Sequence, residues 1–247
     1  MIKFLANFYK NQKFLFWLAL STLVLITVTA IIFQMDVIRL IPLYVSLAIM
    51  VLQANVNRYA FLLGAVNSLL YALVYALNSQ YSSLVYAVLV SCPLQVVTFI
   101  NWNKKTTNNQ TELRSMGALK LIFSLVICAV AWVIFYYAWD VTLNFIVNAI
   151  GLKSTISDSA GAIKILDNTA TVLGIYCTIL IMLRYKDYPV FQLISQGVAI
   201  ALYAIMMGQQ LGQITYVIFS VYSGICIIRA WINIARREKE KIKDQGN

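Results

Sequence analysis

The chain has 247 residues, 61% of them hydrophobic and 11% charged, with a formal net charge of +10. A water-soluble fold of that composition would have too little polar surface to face solvent, so lipid must surround most of it. Histidine is absent, which removes the commonest metal ligand and the usual near-neutral proton shuttle.

The N-terminal stretch MIKFLANFYKNQKFLFWLALSTLVLITVTAIIF places basic residues ahead of an apolar run. That run is longer than a signal h-region and no small-residue cleavage site follows it, so a retained first span is expected. A spanning helix needs about 20 mostly apolar residues. On that measure the apolar runs predict an all-α integral membrane protein with eight spans, at about 14–34, 39–56, 59–78, 82–101, 118–139, 167–184, 189–207 and 211–233. With the N-terminus in the cytoplasm, all of the 19 basic residues except Arg39, Lys153 and Lys164 fall on the inner side. The positive-inside rule therefore predicts eight spans with both termini cytoplasmic. The same distribution accounts for the positive charge without nucleic acid, and the tail ARREKEKIKDQGN reads as a cap facing lipid headgroups.

Two stretches resemble each other. Leu70 to Trp102 runs beside Leu202 to Trp231 once three loop residues are dropped, both opening on Leu-Tyr-Ala and closing on a tryptophan. Spans two to four and six to eight then form two three-helix units, and the fifth span, a single crossing between them, gives both the same orientation. Parallel repeats of this kind place a substrate site between the units near the midplane. The expected divisions are 1–38 for the cytoplasmic N-terminus and an extra first helix, 39–102 for the first unit, 103–166 for a cytoplasmic loop, linker helix and outer loop, 167–236 for the second unit, and 237–247 for the basic tail.

Cys92, Cys128, Cys177 and Cys226 lie in separate apolar segments without paired spacing and read as small core residues. Histidine boxes, paired intramembrane carboxylates, glycine-rich phosphate cradles and Ser/His constellations are all missing, so an integral-membrane enzyme is the lesser alternative and no cofactor or metal is expected. The spans instead carry amides, hydroxyls and aromatic rings. Asn67 and Tyr71 share a face of the third span, Gln95 follows Pro93 in the fourth, Thr169, Thr171 and Tyr176 lie in the sixth, and Gln192, Gln196 and Tyr203 in the seventh. Burying an unpartnered amide costs about 2 to 7 kcal/mol, so these groups should face the protein interior. Helix-to-helix hydrogen bonding would satisfy them, as would a polar, planar ligand with hydroxyls such as a nucleoside. Asp140 and Asp167 stand at the expected outer ends of the fifth and sixth spans, and no Glu or Lys is midspan, which favours facilitated diffusion over proton symport. Pro93, expected in mid-segment, reads either as a hinge or as a tolerated kink.

Gly64-x-x-Asn67-x-x-Leu70-Tyr71-Ala72, Tyr81, Pro93-Leu94-Gln95 and Trp102, then Leu166-Asp167-x-Thr169-x-Thr171-Val172-Leu173-Gly174, Leu202-Tyr203 and Trp231, form a pattern that resembles the PnuC family of vitamin and nucleoside transporters. The similarity runs from about Arg58 to Arg236, with a poor match between the fifth and sixth spans. The resemblance implies a bacterial inner-membrane protein with a 3+1+3 arrangement like that of SWEET sugar transporters, here with an extra N-terminal helix. It also implies a homotrimer, and uniport of a nucleoside-like substrate that a cytoplasmic kinase traps by phosphorylation. Asn67, Tyr71, Gln95, Thr169, Tyr176, Gln192, Gln196 and Tyr203 are the expected substrate contacts. Family members that carry nicotinamide riboside usually show Trp-x-x-Trp-x-x-x-Asn in the seventh span, where Pro189, Gln192 and Gln196 stand here. Rings able to stack on a pyridinium are replaced by hydrogen-bonding groups, which widens the expected substrates to a deoxyribonucleoside, thiamine or riboflavin.

Overall fold

The computed structural model describes residues 12–77, 87–107, 110–150, 161–208 and 211–245. Lys3, Lys10, Tyr81 and Lys153 lie outside the described residues, as do the side chains of Asp140, Lys164 and Asp167. Within them the chain forms helices α1 (Gln12–Ile32), α2 (Val37–Ala54), α3 (Tyr59–Leu77), α4 (Cys92–Lys104), α5 (Ala118–Ile150), α6 (Gly161–Met182), α7 (Tyr188–Met206) and α8 (Ile214–Gln245). A π-helical turn over Ala87–Ser91 leads into α4, and a 3₁₀ turn over Leu211–Gln213 leads into α8. The described strands are β1 (Thr106–Thr107) and β2 (Gln110–Thr111), which pair antiparallel.

Five stretches are long and apolar enough to cross a membrane: Lys13–Ile32, Val37–Ala54, Ala118–Tyr137, Tyr188–Met206 and Leu211–Lys239. Tyr59–Val74 and Asn168–Met182 are shorter apolar helices. Large apolar side chains point outward, among them Trp17 on α1, Leu69 on α3 and Leu119, Phe123 and Tyr137 on α5. Such surface is tolerable where lipid is the solvent. Pro93 departs from its expected place in mid-segment. It occupies the second position of α4 directly after the π-helical turn, where a helix does not require its amide hydrogen, so the irregularity falls in the turn before it.

One end of the bundle gathers the α2–α3, α4–α5 and α6–α7 connections and is rich in Lys and Arg; we call it the basic end. A cluster of Val56, Phe61, Trp102, Leu180, Ile181 and Tyr188 fills it. A second cluster joins α1, α2 and α8 through Ile26, Leu43, Leu47, Cys226 and Ile227.

The helix ends here repeat. After α2, Val56 takes φ 54° and the Asn57 N–H donates to the Leu52 carbonyl at 3.0 Å; after α6, Arg184 takes φ 63° and the Tyr185 N–H donates to the Leu180 carbonyl at 3.0 Å. Left-handed backbone is costly for a valine, and the burial of its side chain against Phe61 and Trp102 offsets that cost. The exposed carbonyls of each helix end are met from the third helix of the other group. Asn233 of α8 donates to the Ala54 carbonyl at 2.7 Å and Arg237 to that of Asn55 at 3.2 Å. In the same way, Trp102 of α4 donates to the Ile181 carbonyl at 2.7 Å and Asn101 to that of Met182 at 3.1 Å.

The α4–α5 connection is bound beneath the α6–α7 turn. The Arg114 N–H donates to the Arg184 carbonyl at 2.8 Å, the Lys186 N–H to the Arg114 carbonyl at 2.9 Å, and the Met116 N–H to Asp187 Oδ2 at 3.3 Å. Arg184 donates through its guanidinium to the Glu112 carbonyl at 3.2 Å. Burial, with Arg114 nearby, lowers the Arg184 pKa from its ordinary value, and Glu112 opposes the shift. Lys186 pairs with Glu238 of α8 at 2.7 Å.

Candidate substrate-binding site

A cavity of about 200 Å³ opens between α2, α3, α4, α6 and α7, in the half of the bundle nearer the basic end. The last turn of α2 supplies Gln53 and the first turn of α3 supplies Phe61. Gln95 and Thr98 enter from α4, three apart and so on one face. From α6 come Gly174, Cys177, Thr178 and Ile181, and from α7 come Gln192, Ser195 and Gln196, again at helical spacing. The lining is therefore four amides, three hydroxyls, a thiol and apolar groups, with no charged side chain among the described residues.

Several of these groups are already committed. Thr98 donates its hydroxyl to the Leu94 carbonyl at 2.6 Å and Thr178 to that of Gly174 at 2.8 Å. Their oxygens therefore remain as acceptors toward the cavity. Gln192 donates through Nε2 to Gln53 Oε1 at 3.3 Å, which links α7 to α2. The carboxamide of Gln95 lies over Gly64 of α3.

The eight expected contacts separate into three places. Gln95, Gln192 and Gln196 line the cavity together. Asn67, Tyr71 and Tyr203 gather elsewhere, around Ser46, which lies seven residues before Gln53 on α2 and so about 10 Å along the helix axis. There Asn67 is buried and donates through Nδ2 to Ser46 Oγ at 2.8 Å, while its Oδ1 has no partner. Ser46 donates onward to the Pro42 carbonyl at 2.7 Å, and Tyr71 shares a hydrogen bond with the same serine. Tyr203 stacks on Tyr216 with ring centroids 5.1 Å apart. Thr169 and Tyr176 lie on the face of α6 that meets α5. Tyr176 shares a 2.8 Å hydrogen bond with Ser124, and Thr169 accepts from the Trp132 indole at 3.0 Å.

Sequence reasoning passed over Gln53, Thr98, Thr178 and Ser195. The signal for Gln53 was present, a lone amide in the apolar helix VIRLIPLYVSLAIMVLQA.

A multi-pass helical protein with a neutral, amide-lined internal cavity is built as a membrane transporter of small polar solutes. Residues 36–233 match the sequence model of the nicotinamide mononucleotide transporter family, and the chain belongs to that family. A solved structure described as "Crystal structure of the Vitamin B3 transporter PnuC" shares the fold. Its TM-score is 0.59 at 18% identity, over 86% of this chain and 89% of that one. No curated protein matches the chain by sequence. The family is one of transporters, and the chain is a transporter rather than an enzyme.

Proposed function

We propose that the protein carries a nucleoside-like solute without a phosphate group across the bacterial inner membrane by facilitated diffusion. The observation that supports this is the cavity lining, with Gln53, Gln95, Gln192 and Gln196 supplying donors and acceptors and no side chain among the described residues supplying charge. Sugar hydroxyls and the edge of a base find partners in such a lining. A phosphomonoester carrying about −1.5 to −2 charges would lose its water there without gaining a cation. The substrate is therefore the nucleoside and not the mononucleotide. The same asymmetry supports trapping, since a cytoplasmic kinase that phosphorylates the solute makes a product the cavity no longer accommodates.

The vitamin B3 named for the similar structure makes nicotinamide riboside the first candidate. A second reading, a deoxyribonucleoside, is favoured by the Gln192–Gln53 amide pair, which can complement a base edge as amides do with adenine. Thiamine and riboflavin are further members of the test panel. The membrane arrangement we adopt has eight crossings, both termini cytoplasmic, an extra first helix and a SWEET-like 3+1+3 core assembled as a homotrimer. The reciprocal capping of α2 by α8 and of α6 by α4 supports the repeat. The basic residues crowded at one end support the orientation.

The test is uptake into proteoliposomes loaded with unlabelled solute. Labelled nicotinamide riboside, deoxyadenosine, thymidine, thiamine and riboflavin are presented without any ion gradient, beside nicotinamide mononucleotide. Exchange of a nucleoside and exclusion of the mononucleotide is the expected result. Uptake that needs a proton or sodium gradient, or that favours the mononucleotide, would sink the proposal.

A further inference from the structure

Glycine in a helix interior is less favourable than alanine, so Gly64 in the middle of α3 calls for a reason in what approaches it. A Cβ built there would meet Gln95 Cδ and Oε1 at 3.0 Å and Nε2 at 3.3 Å. Carbon atoms in good contact sit about 3.5 to 4.0 Å apart. The helical glycines Gly174 and Gly197 have nothing within 4 Å of such a Cβ, and Gly224 meets only a leucine methyl at 3.8 Å. Among the described helical glycines, Gly64 is thus the one pressed by a polar group that lines the cavity.

The rung beside this contact fixes it. Ser68, four residues beyond Gly64, shares a 2.8 Å hydrogen bond with Ser91, four residues before Gln95. Ser68 spends its own proton on the Gly64 carbonyl at 3.0 Å, so Ser91 is the donor between the two hydroxyls. Ser91 closes the π-helical turn and Pro93 follows two residues later. The start of α4 is therefore pinned to α3 one turn away from the point where the Gln95 carboxamide lies on the α3 backbone.

We propose that Gly64 is a positioning residue for substrate recognition: having no side chain, it seats the Gln95 carboxamide against α3 and fixes which edge of that amide faces the cavity. The proposal rests on the reading of this cavity as the substrate site. A methyl group at position 64 drives the amide toward the cavity by a few tenths of an ångström and turns it, which shortens the space for a ligand and misaligns its donor and acceptor. Because the effect passes through Gln95, it vanishes when Gln95 is truncated.

The test is a double-mutant cycle on the full-length protein in nanodiscs. It measures Kd for tritiated deoxyadenosine and for nicotinamide riboside in wild type, Gly64→Ala, Gln95→Ala and the double variant, with Gly197→Ala as a control for an added helical methyl. We expect Gly64→Ala to raise Kd about fivefold to tenfold in the wild-type background and less than about twofold on top of Gln95→Ala. The thermal midpoint of Gly64→Ala should equal or exceed that of wild type, as alanine is the better helix former. Ser91→Ala, which loosens the same rung, should raise Kd only while Gln95 is present, and stands in if Gly64→Ala fails to fold. An equal loss in both backgrounds, or a lowered midpoint with Kd unchanged, overturns the proposal. If Gln95→Ala binds every ligand as wild type does, the cavity reading itself falls, and this inference with it.

Discussion

Gln192 of α7 donates through Nε2 to Gln53 Oε1 of α2 at 3.3 Å, a link between side chains 139 positions apart in the sequence. Both residues line the cavity. The bond is long for an amide pair, so a ligand that offers a better donor to Gln53 or a better acceptor to Gln192 can take its place. Replacing Gln53 by Leu keeps the bulk and removes the polar edge. The expected outcome is about a tenfold loss of nucleoside affinity, the worth of one hydrogen bond at about 1.4 kcal/mol, measured by equilibrium binding. Unchanged affinity would place Gln53 outside the substrate site.

By the family resemblance of the sequence, Gln192 takes the place of an indole expected in carriers of nicotinamide riboside. Gln192→Trp places a π face beside the cavity in exchange for an amide. Cation–π attraction is worth about 0.5 to 2 kcal/mol, so affinity for the pyridinium of nicotinamide riboside should rise about twofold to thirtyfold relative to deoxyadenosine. Competition binding with the two ligands reads that ratio directly. A ratio that falls, or stays level, shows that position 192 does not discriminate between bases.

The division of the expected site shows how far sequence reaches. Apolar runs located the helices because hydropathy is set by lipid, whatever the neighbouring helix. Spacing also grouped residues by face: Gln192 and Gln196 both line the cavity from α7, and Asn67 and Tyr71 of α3 both meet Ser46. What spacing lacks is the identity of the helix that each face meets. Successive residues diverge by about 100° around a helix, so Cys177 lines the cavity while Tyr176 beside it reaches Ser124 of α5. Asn67 and Gln95 looked equivalent as buried amides. Gln95 lies at the level of Gly64, whereas Asn67 is spent on Ser46 farther along the bundle. The matched tryptophans of the two stretches diverge for the same reason. Trp102 is fully buried against the end of α6, and Trp231 is half exposed on α8.

Trp102 gives a stability prediction that is independent of transport. Its indole donates to the Ile181 carbonyl at 2.7 Å and packs edge-on to Phe61 with centroids 4.7 Å apart. Trp102→Phe keeps an aromatic ring and deletes the donor, leaving the Ile181 carbonyl with the Arg184 N–H at 2.9 Å and removing the tie from α4. Polar bonds within membrane proteins are worth about 0.6 to 1.7 kcal/mol, and this one is short and buried. We expect a loss of about 1 to 2 kcal/mol by reversible denaturation in detergent. Trp102→Ala adds a cavity and should cost about 3 to 5 kcal/mol. Equal losses for the two variants would show that packing alone matters at this position.

The absence of charge from the cavity leads to a prediction about pH. No Asp, Glu, Lys or Arg lines it among the described residues, and the sequence has no histidine, the side chain whose ordinary titration falls between about pH 5 and 8. A group that titrated on binding would tilt affinity with pH by linkage, at up to tenfold per unit. The Cys177 thiol, the titratable side chain among the described lining residues, ordinarily titrates above that range, so Kd for a ligand of constant charge such as thymidine should stay within about twofold from pH 5.5 to 7.5. Isothermal titration calorimetry in two buffers of different ionisation enthalpy checks the same point, because a proton taken up or released would make the observed heats differ. Equal heats and a flat Kd fit recognition by amides and hydroxyls alone. A slope approaching tenfold per pH unit would reveal a titrating group within reach of the ligand, and a neutral cavity would no longer explain what the transporter selects.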